Sequence, residues 1–145
     1  MSSYINFVLE LTRVFPQLNT MSNELNQASN VIPITCHVLD TSSGLPAAGL
    51  SVTLYKMAPD VGNHWVEINK DKTNSDGRLP GFTKPGSISP GIHKMKFETE
   101  QYFSSKGAKT FYPYVEVVFN IEDGNTHYHV PLLLSPYGYS TYRGS

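Results

Sequence analysis

The stretch His127-Tyr-His-Val-Pro-Leu-Leu-Leu-Ser-Pro-Tyr-Gly-Tyr-Ser-Thr-Tyr-Arg-Gly-Ser145 decides how the rest of the chain is read. It has the grammar of a β-hairpin. A strand-like run from His127 to Leu134 meets turn residues at Ser135, Pro136, Tyr137 and Gly138, and a short second strand follows. Chain ends are usually frayed and dispensable. This one carries aromatic, charged and small residues directly behind an apolar strand, with two histidines at its head. The hairpin is therefore expected to supply a large share of a functional site and of an oligomer interface.

The same grammar runs upstream. Ile34 to Asp40 alternates, with Ile34, Cys36 and Val38 on one face and Thr35, His37 and Leu39 on the other. Turn residues 41–44 lead towards a strand from Leu50 to Met57, and another strand runs from His64 to Lys72. Asn74-Ser-Asp-Gly77 is a tight turn, and Arg78 follows it directly. A Pro/Gly-rich loop over 80–91 precedes a strand from Ile92 to Phe97, a short helix from Glu98 to Ser105, and a long strand from Tyr112 to Ile121. Seven or eight short strands with regular turn punctuation and one short helix predict an all-β antiparallel sandwich over residues 31–145. Residues 1–30 read as a disordered leader, because 17–30 (QLNTMSNELNQASN) is polar and Asn-rich.

Composition sets the bounds. The 145 residues are enough for one domain with a sizeable core. A net charge of −1 gives no electrostatic reason to expect nucleic acid or an anionic membrane as partner. Cys36 is the sole cysteine, which excludes an intrachain disulfide and fits a reducing compartment. No Asn-x-Ser/Thr acceptor occurs, and no apolar run approaches the ~20 residues of a membrane span.

Two late strands are apolar on both faces. Tyr114 and Val118 oppose Val115, Val117 and Phe119, while Leu133 opposes Val130, Leu132 and Leu134. A monomeric sandwich strand normally turns one polar face to water, so a second partner surface is expected, most simply in a homo-oligomer.

The residues that could carry chemistry are few. The chain has no nucleophile elbow, phosphate-cradling loop, CxxC pair or HExxH motif. His127 and His129 project from one strand face and read either as surface histidines or, with His37 as third ligand, as a zinc set. Taken alone, Arg78 reads as a solvated charge. Composition and periodicity go no further than a sandwich with scattered histidines.

Four segments together resemble the transthyretin-related 5-hydroxyisourate hydrolases. They are Thr35-Cys-His-Val-Leu-Asp-Thr-Ser-Ser-Gly-Leu-Pro-Ala47, Thr73-Asn-Ser-Asp-Gly-Arg78, Phe111-Tyr-Pro-Tyr-Val-Glu-Val117, and the terminal hairpin with its Tyr142-Arg-Gly-Ser145 ending. That ending separates the hydrolases from the hormone carriers that share their fold. His37, Arg78 and His129 stand at the family's functional positions, and no functional position departs from the family's pattern.

The resemblance implies a prealbumin/transthyretin-like sandwich assembled as a homotetramer, with active sites in a central channel. It implies hydrolysis of a small-molecule substrate, 5-hydroxyisourate, in urate degradation, with no metal and no organic cofactor. His37 and His129 are implied as the acid/base pair that activates water. Arg78 is implied to offer its planar fork of donors to substrate oxygens. Tyr142 is implied in substrate binding, and Ser145 brings a hydroxyl and a terminal carboxylate. His127 is expected as a supporting or channel-wall residue. The rival reading is a carrier that binds a small aromatic ligand in the same channel.

Localisation is expected to be peroxisomal or cytoplasmic. Arg13-Val14 opens an amino-terminal peroxisomal pattern that Thr20-Met21 does not close, and the carboxyl end lacks a Ser-Lys-Leu address.

Overall fold

The computed structural model describes residues 30–60 and 62–145. The expected leader, apart from Asn30, and the amino-terminal targeting pattern lie outside the described residues. Eight strands and one helix occur among the described residues. They are β1 (Ile34–Asp40), β2 (Leu45–Pro46), β3 (Ser51–Ala58), β4 (His64–Lys72), β5 (Gly91–Phe97), α1 (Thr99–Ser104), β6 (Val115–Ile121), β7 (Tyr128–Ser135) and β8 (Gly138–Thr141).

The strands form two four-stranded sheets, ordered β2-β1-β7-β8 and β4-β3-β5-β6. Alternation in the sequence becomes alternation in burial. On β1, Ile34, Cys36, Val38 and Asp40 are buried, and the residues between them are half-buried. The core between the sheets holds Ile34, Val38, Leu54, Met95, Phe97, Phe103 and Leu132 among others. Burying each such side chain contributes roughly 1.5–3 kcal/mol before conformational entropy is counted.

One pairing departs from the antiparallel expectation: β1 and β7 run parallel, with Ile34 opposite Tyr128 and Asp40 opposite Leu134. A hairpin cannot join parallel strands, so their connection must cross over. Here the crossover is the whole second sheet. Local sequence reports strand and turn but not this long-range choice.

The long strand expected from Tyr112 begins only at Val115. Pro113 has no N–H to give a ladder. The backbone before β6 turns to the helix instead: the Thr99 hydroxyl donates to Tyr112 O at 2.6 Å and Glu100 N–H to Pro113 O at 3.1 Å. Helix α1 is six residues long, short of two turns, and Tyr102 and Phe103 bury its inner face. The Tyr102 hydroxyl donates to the Asp40 carboxylate at 3.0 Å, which ties the helix to the end of β1.

The outer apolar residues of the two double-sided segments differ within one chain: Leu133 is half-buried. Tyr114 and Val118 are 48% and 56% exposed.

Candidate active site

The site begins with the parallel pair. Thr35 lies opposite His129 and His37 opposite Pro131, and β1 and β7 bury Ile34, Cys36, Val38, Tyr128, Val130 and Leu132 on the core side. The opposite face carries Thr35 and His37 on β1 and His129 on β7, with Leu39, Pro131 and Leu133 beyond them and His127 just before β7. One sheet face therefore carries three histidines and a hydroxyl because both strands spend their other face on the core.

Arg78 arrives from the Asn74 turn. The Asn74 side-chain oxygen accepts the Asp76 and Arg78 N–H groups at 3.0 and 2.9 Å, an Asx-type closure. Gly77 sits at φ +70°, and its carbonyl accepts the Val38 N–H at 2.9 Å. A Cβ on Gly77 would lie 2.4 Å from Val38 O, so only glycine allows the turn to lie this close to β1. The next residue is thereby bridged to His37 in an isolated antiparallel pair, with Leu79 buried just beyond. Arg78 is exposed, but its backbone is not free.

The chain end closes the other side. At the end of β8 the Thr141 hydroxyl donates to Pro131 O at 2.7 Å, and beyond it Gly144 N–H donates to His129 O at 3.0 Å. The Arg143 guanidinium lies 5.3 Å over the Tyr128 ring, within cation–π range. The Tyr128 hydroxyl is fixed by the N–H groups of Glu122 and Asp123 at 3.1 and 3.2 Å. Ser145 follows the bridged Gly144 and is exposed. A cavity of about 370 Å³ between β6 and the terminal segment is lined by His129, Tyr142 and Arg143, among others. His37 and Arg78 are not among the residues that line this cavity; His37 is half-buried and Arg78 exposed.

His129 is the most connected member. Its Nδ1 is 2.8 Å from the Thr35 hydroxyl, which also lies 3.2 Å from His127 Nε2. The His127 and His129 rings stack with centroids 6.5 Å apart. Burial lowers the His129 pKa below the ordinary 6.5, and the positive or protonatable neighbours Arg78, His127 and His37 lower it further. The imidazole is thus held neutral near pH 7, the form a general base requires.

The structure brings His37, Arg78 and His129 to one sheet face and places Gly144, with Ser145 next to it, against His129. Tyr142 borders the adjoining cavity. Thr35 and Gly77 received no role of their own from sequence, and Gly144 entered only as part of the Tyr142–Ser145 ending. The alternation that put Thr35 on the His37 face was the available signal for the first, and the Asp-Gly turn for the second. Among the described residues, no group of three or more His, Cys, Asp or Glu side chains could hold a metal ion.

Comparison with known proteins adds the family context. The model described as "HIUase/Transthyretin family" matches residues 34–144. A mouse protein named 5-hydroxyisourate hydrolase is 50% identical over 118 residues, covering 81% of this chain and 99% of its own. A Salmonella typhi protein of the same name is 44% identical over 121 residues, covering 83% of this chain and 85% of its own. The crystal structure of transthyretin from Sparus aurata superposes with a TM-score of 0.74 at 27% identity, covering 79% of this chain and 97% of that one.

Proposed function

Because the chain belongs to the HIUase/Transthyretin family, we propose that it is a hydrolase that opens 5-hydroxyisourate to 2-oxo-4-hydroxy-4-carboxy-5-ureidoimidazoline. The observation that carries this reading is the pair of backbone bridges, His37 to Arg78 and His129 to Gly144, which draw three chemically competent side chains onto one face.

The chemistry follows from those side chains. Water adds to a ring carbonyl carbon, a ring C–N bond breaks, and the product carries a carboxylate. Neutral His129 takes the proton from the attacking water and returns it to the departing nitrogen. Arg78 and His37 face the carbonyl oxygen on which negative charge develops, and a preorganised guanidinium stabilises that charge without reorganisation. Tyr142 and Ser145 hold the far edge of the substrate.

Assembly as a homotetramer is part of the proposal. Tyr114 just before the edge strand β6, Val118 on it, and Tyr139 on the edge strand β8 leave apolar surface that a second copy would cover. The twofold likeness to a hydrolase and to a carrier fold makes the deciding experiment simple. Freshly generated 5-hydroxyisourate is followed by its ultraviolet absorbance with wild-type protein and with His129→Ala. Accelerated decay lost on the order of 10²-fold in the variant supports the reading. Ligand binding without accelerated decay would assign the carrier role instead.

A further inference from the structure

Behind His129 runs a chain of hydrogen-bonding groups that ends at a group with only one choice. His127 Nδ1 lies 2.8 Å from the carbonyl oxygen of Ile32. A carbonyl accepts and never donates, so His127 Nδ1 carries a proton. When His127 is neutral its Nε2 is then a bare acceptor, and the Thr35 hydroxyl 3.2 Å away donates to it. That hydroxyl has one proton, so towards His129 it acts as an acceptor, and His129 Nδ1 at 2.8 Å is the donor. The order of donors fixes the tautomer of His129: Nδ1 protonated and Nε2 a free lone pair. Each step follows from the one before.

We infer that Thr35 and His127 are positioning residues that form a proton relay behind His129, setting its basic nitrogen and carrying its charge to solvent. The inference rests on the hydrolase reading. When His129 Nε2 accepts the proton of the attacking water, Nδ1 passes its proton to Thr35 Oγ1. The original hydroxyl proton of Thr35 passes to His127 Nε2. His129 is then neutral with its proton on Nε2, Thr35 is again a hydroxyl, and His127 is an imidazolium held by Ile32 O. As Nε2 gives its proton to the departing ring nitrogen, the same transfers run in reverse and restore the resting state. Water's proton ends on the leaving nitrogen, and no charge is left on the protein.

Where the charge rests during turnover gives the relay its use. His129 is half-buried and faces Arg78 from the turn, His37 from β1 and His127 just before β7, with Arg143 and Glu122 around the adjoining cavity. A positive charge on that imidazole meets Arg78 and little water. His127 is exposed, so water solvates the charge there.

The test uses the full chain with 5-hydroxyisourate and, separately, no substrate at all. Thr35→Val should lower kcat about tenfold or more with little change in KM, and Thr35→Ser should restore it. His127→Gln, at an exposed position where folding is not at issue, should cost about the same. The double variant should be no worse than either single, since both cut one wire. In ¹⁵N-histidine NMR of the substrate-free protein, neutral His129 should show Nδ1–H, and Thr35→Val should shift it towards the other tautomer. Losses that multiply in the double variant, wild-type rates in His127→Gln, or Nε2–H on resting His129 would overturn the relay. Failure of the wild-type protein to accelerate decay would overturn the hydrolase reading instead, while the NMR arm still reports on the wire.

Discussion

Gly144 lies close against the His129 side chain: a Cβ built on it would sit 2.4 Å from the ring Cδ2 and 3.1 Å from both Cβ and Cγ. The contact is reinforced by the Gly144 N–H bond to His129 O. The glycine of the Tyr-Arg-Gly-Ser ending is thus a spacing requirement, because any side chain would push either the ring or the terminal segment away.

Gly144→Ala should therefore fold with normal stability, since the contact lies at an exposed chain end, yet lose turnover. A displacement of about 1 Å in a catalytic group can cost on the order of 10²-fold. Steady-state decay kinetics beside a thermal melt separate the two effects. A variant with unchanged kcat would show that the ring tolerates displacement.

Gly77→Ala should be costlier to the fold. At φ +70° an alanine is strained, and its Cβ would meet Val38 O at 2.4 Å. Gly107 has nearly the same φ, +72°, but open space around the added atom, so Gly107→Ala isolates the backbone strain of about 1 kcal/mol. Chemical denaturation should place Gly77→Ala well below that control, and its activity should fall because Arg78 is carried on the displaced turn. Equal midpoints for the two variants would mean that the turn relaxes away from β1.

Which parts of this were legible in the sequence follows from the range of the forces involved. Alternation over Ile34–Asp40 reports burial one residue at a time, so the face holding Thr35 and His37 was readable. The Asp-Gly turn was readable because left-handed φ is a local property. The parallel register of β1 with β7 was not, since residues more than ninety positions apart choose it through the shared core. His93 stands at an inward position of β5 with Met95 and Phe97, so its burial was there in the alternation, but its orphaned nitrogen depends on what packs above it. His37, Arg78 and His129 were identified through a family resemblance. Physical spacing alone left them as scattered surface groups, because the two bridges that unite them join distant segments.

Tyr102→Phe should loosen α1 from β1. Burial raises the Asp40 pKa, but hydrogen bonds from Ser42, Tyr102 and Ser43 outweigh it and hold the carboxyl below its usual range. Asp40 is nearly inaccessible, so losing the Tyr102 hydroxyl removes a charge-assisted bond worth roughly 1.5–3 kcal/mol. A lower urea midpoint with an unchanged slope is expected. No shift would mean that a water replaces the hydroxyl at the carboxylate.

Acid should destabilise the fold through His93. Its side chain is fully buried, its Nδ1 donates to Gly91 O at 3.0 Å, and its Nε2 has no hydrogen-bond partner among the described residues. Burial lowers its pKa below 6.5, and the nearby Lys56 charge adds to that, against the opposing bond to Gly91. Below 6.5 the unfolded chain takes up a proton that the folded chain refuses. Stability from this group is therefore complete above 6.5 and declines as pH falls from there towards the lower folded value. His129 is shifted in the same direction and adds to the decline, whereas Asp40 acts only in the lower carboxylate range. His93→Asn keeps a donor for Gly91 O and removes the titration. Urea midpoints compared above and below pH 6.5, at fixed protein concentration, should fall less in this variant than in the wild type. An equal fall in both would assign the acid sensitivity to His129.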